Sequence, residues 1–224
     1  MTRPYQFRDR IEAGKKLAEQ LDSLHLHDPL ILALPRGGLP VAREVALKLR
    51  APLDVLMVRK IGAPFNPEYG IGAMCEDFHP LFNPAAMLSE GYFKEEIERV
   101  VAEEKLELQR RINNYRGGRP LPRMVGKTVV LVDDGVATGI TAAAAAKFLK
   151  NVGAEHVIIA APVCPQGNDP LLEKYSDQII CLQRPPMFSA VGQWYRDFNQ
   201  VSDAEVITIL EEFHPSQDER RDSP

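Results

Sequence analysis

Apolar residues recur along the chain with two different spacings, which together predict alternating strands and helices. Mainly apolar runs of four to eight residues, typical of strands buried on both faces, predict strands at 30–34, 53–58, 129–132, 156–163 and 178–182. Helical spacing or an excess of strong helix formers predicts helices at 8–24, from 39 to 49, near 90–115, at 142–150, at 171–175 and from 203 to 213. Strands that alternate with helices favour an α/β fold with a parallel sheet and right-handed crossovers.

The same pattern divides the chain into a core, a C-terminal segment and a tail. The core is predicted over residues 1–182, and it includes a glycine- and proline-rich segment near 61–75 that predicts a long flexible loop. Proline and aromatic residues become frequent at 183–214, which we call the hood segment. The charged tail, 215–224, is predicted to be disordered.

Composition limits the classes of function. The chain has 224 residues, of which 45% are apolar and 26% charged, as in ordinary soluble proteins. Its net charge of −4 argues against a broad nucleic-acid-binding face. We find no apolar run of about 18 residues and no apolar leader, and we therefore expect a cytoplasmic protein. The three cysteines, Cys75, Cys164 and Cys181, have no metal-ligand spacing and are expected to be reduced.

The stretch 128–150 carries the strongest chemical signal. A buried strand leads into a loop that contains the adjacent carboxylates Asp133 and Asp134, two glycines and two threonines, and a helix follows. Backbone N–H groups at the start of a helix stabilise a phosphate, and carboxylates accept hydrogen bonds from sugar hydroxyls. The loop therefore predicts a ribose 5-phosphate site. The alternative is a simple turn before a capped helix, which explains the glycines but not the full spacing.

This stretch resembles the phosphoribosyl pyrophosphate (PRPP) loop of the type I phosphoribosyltransferases. The shared features are a hydrophobic strand, two acidic residues, a short spacer and Thr-Gly-x-Thr in a strand-loop-helix context. The resemblance implies a Rossmann-like parallel sheet flanked by helices, with a small hood. It also implies contacts with the ribose and the 5-phosphate from Asp133, Asp134, Gly135, Val136, Ala137, Thr138, Gly139, Ile140 and Thr141.

A second anion-binding arrangement follows the first predicted core strand. The sequence there is Pro35-Arg36-Gly37-Gly38, and a helix follows. The two glycines allow close backbone approach, and the Arg36 guanidinium can bind a phosphate with two hydrogen bonds. Alone this would be a weak signal, because paired glycines after a strand often form only a turn. Beside the first loop it resembles the pyrophosphate-binding loop of the same enzymes, which implies a cis peptide between Pro35 and Arg36.

Arg59 and Lys60 follow the predicted strand 53–58, at the sheet edge where open α/β folds bind ligands. Adjacent side chains on a strand point to opposite faces, so only one of the two can reach the site well. Orotate- and adenine-type phosphoribosyltransferases carry Arg-Lys at the matching place, which implies contact with pyrophosphate. A solvated strand end is the alternative. In the family a flexible loop follows this strand, so segment 61–75 is expected to close over PRPP.

The aromatic residues of the hood segment allow two interpretations. Phe188, Trp194, Tyr195 and Phe198 either pack as a hydrophobic cap or stack on a planar base. Both alternatives stay open, and Phe188, Trp194 and Tyr195 are the candidate base contacts. Farther on, Ser202-Asp-Ala-Glu205 matches a capping box and predicts the start of the last helix.

The resemblance covers nearly the whole chain and implies a Mg²⁺-dependent enzyme. Such an enzyme transfers the 5-phosphoribosyl group from PRPP to a small nitrogenous base and releases pyrophosphate. Asp133, Asp134, Lys60 and Arg36 would be its catalytic residues, with Mg²⁺ held mainly by PRPP. The alternatives are a PRPP- or nucleotide-binding regulator on the same fold and a partner subunit whose site is only structural. The oligomeric state stays open, with a homodimer as one option.

The residue before Thr138-Gly139 bears on the acceptor. In 6-oxopurine phosphoribosyltransferases this residue is an aspartate that can take a proton from the purine. Here it is Ala137, whose methyl group can neither accept a proton nor bind a ring nitrogen. We therefore expect hypoxanthine and guanine to be poor acceptors.

Overall fold

The computed structural model describes residues 5–167 and 170–214. Strands and helices alternate through most of this part of the chain. In order, the elements are α1 Arg10–Asp22, β1 Leu30–Ala33, α2 Gly38–Leu49, β2 Leu53–Val55, β3 Arg59–Ala63, β4 Asn66–Met74, β5 Pro80–Phe82, α3 Pro84–Glu90, α4 Lys94–Arg116, β6 Thr128–Val132, α5 Ile140–Asn151, β7 His156–Val163, α6 Pro170–Tyr175, β8 Gln178–Gln183, a 3₁₀ turn Val191–Trp194 and α7 Asp203–Phe213.

A five-stranded parallel sheet forms the centre of the fold, in the strand order β2-β1-β6-β7-β8. All four residues of β1 are buried, as expected for a strand that is covered on both faces. Ala33 at the end of β1 is paired with Val132 at the end of β6. The loops that follow these two strands therefore begin side by side. The predicted Rossmann-like parallel sheet flanked by helices is confirmed.

Segment 61–75 does not form the irregular loop that its composition predicts. Strands β3, β4 and β5 form a separate antiparallel sheet, and most of the segment lies in the β3–β4 hairpin. A Cβ at Gly62 would lie 2.3 Å from the Pro67 carbonyl oxygen, and one at Gly72 would lie 2.7 Å from that of Leu81. These glycines are therefore required where backbones approach closely, and they do not mark an irregular loop.

Two predicted boundaries differ from the structure. Strand β2 ends at Val55, so Arg59 and Lys60 begin β3 and do not end β2. The long helix predicted near 90–115 begins at Lys94, because Gly91, with a φ of 60°, ends a separate short helix before it. Residues with a side chain are disfavoured in this left-handed conformation, so glycine is the residue that most often ends a helix in this way.

The N-terminal segment joins the hood segment. Phe7 forms a β-bridge with Tyr195, and its amide donates to the Trp194 carbonyl oxygen at 2.9 Å. The predicted capping box is present, since Ser202 and Glu205 exchange hydrogen bonds at the start of α7. The predicted disordered tail, 215–224, lies outside the described residues. None of the helices in the described ranges is both long enough and apolar enough to cross a membrane.

Candidate functional site

The loop between β6 and α5 forms one wall of a cavity of about 260 Å³. Lys60, Glu68 and Gly70 of the hairpin also line this cavity. The loop and helix residues that line the cavity are Asp133, Gly135, Val136, Ala137, Thr138, Gly139, Thr141 and Ala142. Of the predicted phosphate-loop residues, Ile140 is only 1% exposed, so its side chain packs in the core and does not face a ligand.

The first turn of α5 has the features of an anion site. Gly139 caps the helix with a φ of 73°, a conformation that glycine adopts without strain. Backbone N–H groups at such an end have no partner within the helix and carry the positive end of its dipole. The exposed Thr138 and the half-buried Thr141 add hydroxyl groups at the same cavity. The arrangement is suited to a phosphate group.

The two adjacent carboxylates have different partners. Asp133 lines the cavity, whereas Asp134 turns away and forms an ion pair with Arg10, with Nε 2.8 Å from Oδ2. This pair is largely buried, since the side chains of Arg10 and Asp134 are 11% and 14% exposed. The Arg10 guanidinium also donates to the Asn199 carbonyl oxygen at 2.8 Å and lies 3.9 Å from the centre of the Phe198 ring.

Arg10 was missed by the sequence reasoning. It is 124 positions from Asp134, and the only sequence signal is its place at the start of an amphipathic helix, where an arginine usually points to solvent. Tyr195 adds a second link to the same loop, because its hydroxyl donates to the Asp134 carbonyl oxygen at 2.6 Å. N-terminal and hood residues therefore fix the position of the acidic loop.

Burial changes the acidity of both carboxyl groups. It raises the pKa of Asp133 well above its ordinary value, and the neighbouring Asp134 carboxylate raises it further. Burial also raises the pKa of Asp134, although the ion pair with Arg10 opposes this effect. Perturbed carboxyl groups in a cavity are a common feature of functional sites.

The loop after β1 packs against the acidic loop. A Cβ at Gly37 would lie 2.0 Å from Asp134 Oδ2, and one at Gly38 would lie 2.6 Å from the Val132 carbonyl oxygen. The two glycines are therefore required by contact between the two loops. The predicted cis peptide between Pro35 and Arg36 is confirmed.

Arg36 is connected to the C-terminal helix. Its Nη1 lies 3.4 Å from Asp203 Oδ1 at the start of α7, and the Tyr115 hydroxyl donates to the same oxygen. The Arg36 side chain is 28% exposed, so its guanidinium is accessible to a ligand while it is held from one side.

Arg59 and Lys60 point in different directions, as expected for neighbours on a strand. Lys60 lines the cavity beside Asp133, and its Nζ donates to the Glu68 carbonyl oxygen at 3.0 Å. Arg59 turns to α4, where its Nε lies 2.6 Å from Glu104 Oε2. Of this predicted pair, Lys60 is therefore the residue that reaches the acidic cavity.

The hood aromatics mainly pack against the N-terminal segment. Trp194 and Tyr195 are 5% and 4% exposed and form a cluster with Phe7. Phe188 stacks on Trp194, with ring centres 6.4 Å apart. Packing, one of the two alternatives, therefore describes Trp194 and Tyr195, and the structure offers no exposed ring face for a base at these two residues. Phe188 is half-buried and remains a predicted base contact.

A second cavity, of about 290 Å³, shares Val136, Ala137 and Thr138 with the first. The sequence reasoning missed it, although Cys164 to Gly167 follow β7 and Arg184 follows β8, at the sheet edge where α/β folds bind ligands. These other lining residues are Cys164, Pro165, Gln166, Gly167, Pro170, Leu172, Ile179 and Arg184.

Comparison with known proteins identifies the family. The family model for the phosphoribosyl transferase domain matches residues 5–199. The chain belongs to the phosphoribosyl transferase domain family. One similar protein of known crystal structure is TT1426 from Thermus thermophilus, which is 41% identical to this chain in sequence. The two structures superpose with a TM-score of 0.78, and the match covers 93% of this chain and 99% of that one.

Two further proteins, one similar in sequence and one similar only in fold, also match this chain. A Mycobacterium tuberculosis H37Rv protein, provisionally named a phosphoribosyl transferase, is 43% identical over 93% of this chain and 47% of its own length. The chain thus spans about half the length of the curated relatives it matches. A Neisseria gonorrhoeae protein solved with bound ppGpp is 15% identical, covers 95% of this chain and 98% of its own, and has a TM-score of 0.51. At this identity it shows a shared fold alone.

Proposed function

We propose that this member of the phosphoribosyl transferase domain family is a Mg²⁺-dependent enzyme that transfers the 5-phosphoribosyl group of PRPP to a nitrogen atom of a planar heterocycle. One observation carries the proposal. Asp133, Lys60 and the N-terminal turn of α5 line a single cavity, so a carboxylate, a cation and an anion site lie within reach of one small ligand.

Each part of PRPP has a candidate partner in this arrangement. The N-terminal turn of α5, with Thr138 and Thr141, would hold the 5-phosphate through backbone and hydroxyl donors. Asp133 would accept hydrogen bonds from the ribose hydroxyls. Asp134, which is paired with Arg10, would hold the loop in position, since its carboxylate faces away from the cavity.

Pyrophosphate would lie between Lys60 and Arg36. In the transfer step the lone pair of the acceptor nitrogen forms the bond to C1, while the bond from C1 to the pyrophosphate oxygen breaks and its electron pair leaves with pyrophosphate. If the attacking nitrogen carries a proton, that proton passes to solvent; if it is a pyridine-type nitrogen, the product ring becomes a cation. Fixed positive groups stabilise the charge that develops on the leaving group, and such preorganised electrostatics are commonly the largest catalytic contribution.

The donor atoms at the cavity are compatible with Mg²⁺. The described residues contain no cluster of three or more histidine, cysteine or acidic side chains that could hold a metal. Mg²⁺ in phosphate-binding sites usually keeps several waters and takes only one or two carboxylates plus substrate oxygens. Asp133 is one such carboxylate, so we assign Mg²⁺ mainly to the pyrophosphate of PRPP. When bound, the ion would neutralise charge on the leaving group.

The second cavity is the proposed acceptor site, because it shares the wall formed by Val136, Ala137 and Thr138. A heterocycle in this cavity would lie beside the ribose that the first cavity holds. None of the aromatic hood residues that the sequence suggested as base contacts lines this cavity, and two of them, Trp194 and Tyr195, are buried.

Pyrophosphate release tests the proposal. The protein would be supplied with PRPP, Mg²⁺ and a panel of purines, pyrimidines and pyridines. We expect base-dependent release, with Arg36→Ala and Lys60→Ala weakening the binding of PRPP and pyrophosphate much more than that of a nucleoside monophosphate. Arg123→Ala and Lys15→Ala, which remove exposed cations outside these two cavities, serve as controls.

Two results would contradict the proposal. One is the absence of pyrophosphate release with every base, together with no calorimetric binding of PRPP. The other is equal loss of affinity for PRPP and for the monophosphate in both variants, which would contradict the pyrophosphate assignment. Tight, salt-dependent binding of nucleic acid without pyrophosphate release would instead favour the regulator.

A further inference from the structure

The proposed acceptor cavity has a single positive charge in an otherwise neutral lining of described residues. Among the described residues that line it, Arg184 is the only charged side chain. Its guanidinium reaches the loop after β7, where Nη1 donates to the Gly167 carbonyl oxygen at 3.2 Å. A guanidinium has five N–H donors in a fixed plane, so one bond to Gly167 leaves donors for a ligand.

Arg184 differs from the other arginines near the site in its ion pairs. Arg10, Arg36 and Arg59 are each paired with a carboxylate of the protein. Within the part of the chain that the structure describes, no carboxylate forms an ion pair with Arg184. Among the described residues, the positive charge of Arg184 is therefore not neutralised by an ion pair, and it is available to an anionic ligand.

The remaining lining favours a flat, largely apolar ring. Two prolines, a valine, a leucine, an isoleucine and Ala137 are six of the eleven lining residues, and Ala137 contributes only a methyl group. The neutral polar groups are the Thr138 hydroxyl, the Gln166 amide and the Cys164 thiol. The described lining contains no carboxylate. It therefore offers no anionic partner to a cationic ring and no base to take a proton from a purine nitrogen.

We infer that the acceptor is a planar nitrogen heterocycle that carries an acidic substituent, such as a ring carboxylate, bound by Arg184. This inference rests on the proposed function and adds the chemical class of the acceptor. A carboxylate matches the planar fork of a guanidinium with two parallel hydrogen bonds. The ring would pack on the apolar side chains, with its nucleophilic nitrogen directed to C1 of the ribose at the edge that both cavities share.

The transfer step is balanced without any further reactant. The lone pair of the acceptor ring nitrogen forms the new bond to C1, and the electron pair of the broken C1–O bond leaves with pyrophosphate. With a pyridine-type nitrogen the product ring becomes a pyridinium cation. With a ring N–H the proton passes to solvent. The carboxylate and Arg184 keep their charges throughout.

Matched pairs of heterocycles test the inference, because each pair differs in charge at nearly constant shape. Orotate is compared with uracil, and nicotinate with nicotinamide, in the presence of PRPP and Mg²⁺. Both kcat/KM for pyrophosphate release and the binding of each heterocycle to the PRPP-loaded protein are measured. In at least one pair we expect the acidic member to be preferred by about 10-fold or more, as one charge-assisted contact allows.

Arg184→Gln removes the charge but keeps a polar side chain. We expect it to lower kcat/KM for the acidic member by about 10- to 100-fold, the range for one lost charge-assisted hydrogen bond. Values for the neutral member and for PRPP binding should change less than about 3-fold. Arg196→Gln removes an exposed arginine that lines neither of the two site cavities, and it should change none of these values.

The outcomes separate this inference from the proposed function. PRPP binding without any preference for an acidic member, in rate or in affinity, overturns the inference and leaves the proposed function standing. The inference is also overturned if Arg184→Gln lowers kcat/KM equally for the acidic and the neutral member of a pair. If PRPP does not bind and no base releases pyrophosphate, both the proposed function and the inference fail.

Discussion

Asp133 and Asp134 are adjacent in the sequence but differ in their electrostatic environment. Asp134 has a buried cationic partner in Arg10, whereas Asp133 faces the cavity with its pKa raised by burial and by its neighbour. Sequence could indicate that two carboxylates follow a strand, because that information is local. It could not assign their different roles, because Arg10 comes from another part of the chain.

Replacing each carboxylate by the neutral asparagine should change stability with opposite signs, because only Asp134 has a buried cationic partner. The folded-state pKa of Asp133 lies above its unfolded value, so between the two values the folded protein binds more protons and stability falls as pH rises. Asp133→Asn should therefore raise the free energy of unfolding at pH 7, with the gain disappearing below about pH 4. Asp134→Asn leaves Arg10 buried without its partner and should cost on the order of 2 kcal/mol.

Urea unfolding of both variants between pH 4 and pH 8 measures this contrast. The wild-type protein at each pH is the reference. Destabilisation by Asp133→Asn at pH 7, or a gain that grows as the pH is lowered, would contradict the assigned environment of that residue.

Gly37 provides a second test at the residue scale. Its φ of −62° suits any residue, and the three heavy atoms nearest to an added Cβ all belong to the Asp134 carboxylate. Gly37→Ala should therefore destabilise the protein mainly through a clash with Asp134. In an Asp134→Ala background the same substitution should cost less, with a coupling free energy of about 1 kcal/mol or more. Additive free energies in this double-mutant cycle would show that the two loops are not in this contact.

At the scale of elements, the sequence predicted some parts well and others poorly for a physical reason. The parallel strands and α5 were predicted because buried apolar runs and helix formers are local signals. The β3–β4 hairpin was missed because its glycines resemble a loop, although they allow backbones to approach closely. The same hairpin carries Lys60 and Glu68 to the acidic cavity, so its position bears directly on the site.

The hairpin should become more protected when PRPP and Mg²⁺ bind. Lys60 and Glu68 line the proposed PRPP cavity, so a ligand there would contact the hairpin as well as the acidic loop. Amide hydrogen exchange of residues 62–74 with and without ligand measures this effect. Strands β7 and β8 of the central sheet serve as the internal control and should change little. Unchanged exchange in residues 62–74 at saturating ligand would contradict a closing role for the hairpin.

At the scale of the molecule, long-range contacts assemble the site. Arg10 and Tyr195 hold the acidic loop, and Tyr115 and Asp203 hold Arg36. Single-sequence patterns could place the two anion-binding loops at one sheet edge, because parallel strands end there. They could not predict side-chain contacts between segments more than 60 positions apart, since those depend on how the hood packs on the core.

Calorimetric titration with PRPP and Mg²⁺ tests the central claim most directly, namely that the cavity beside Asp133 binds the phosphoribosyl donor. We expect one PRPP to bind per chain. Asp133→Asn should weaken this binding by roughly 10- to 100-fold, because the half-buried carboxylate would no longer accept charge-assisted hydrogen bonds from the ribose hydroxyls. Asp197→Asn, which alters an exposed carboxylate outside the cavity, should not weaken it. Failure of the wild-type protein to bind PRPP, or equal affinity in wild-type and Asp133→Asn, would contradict the account.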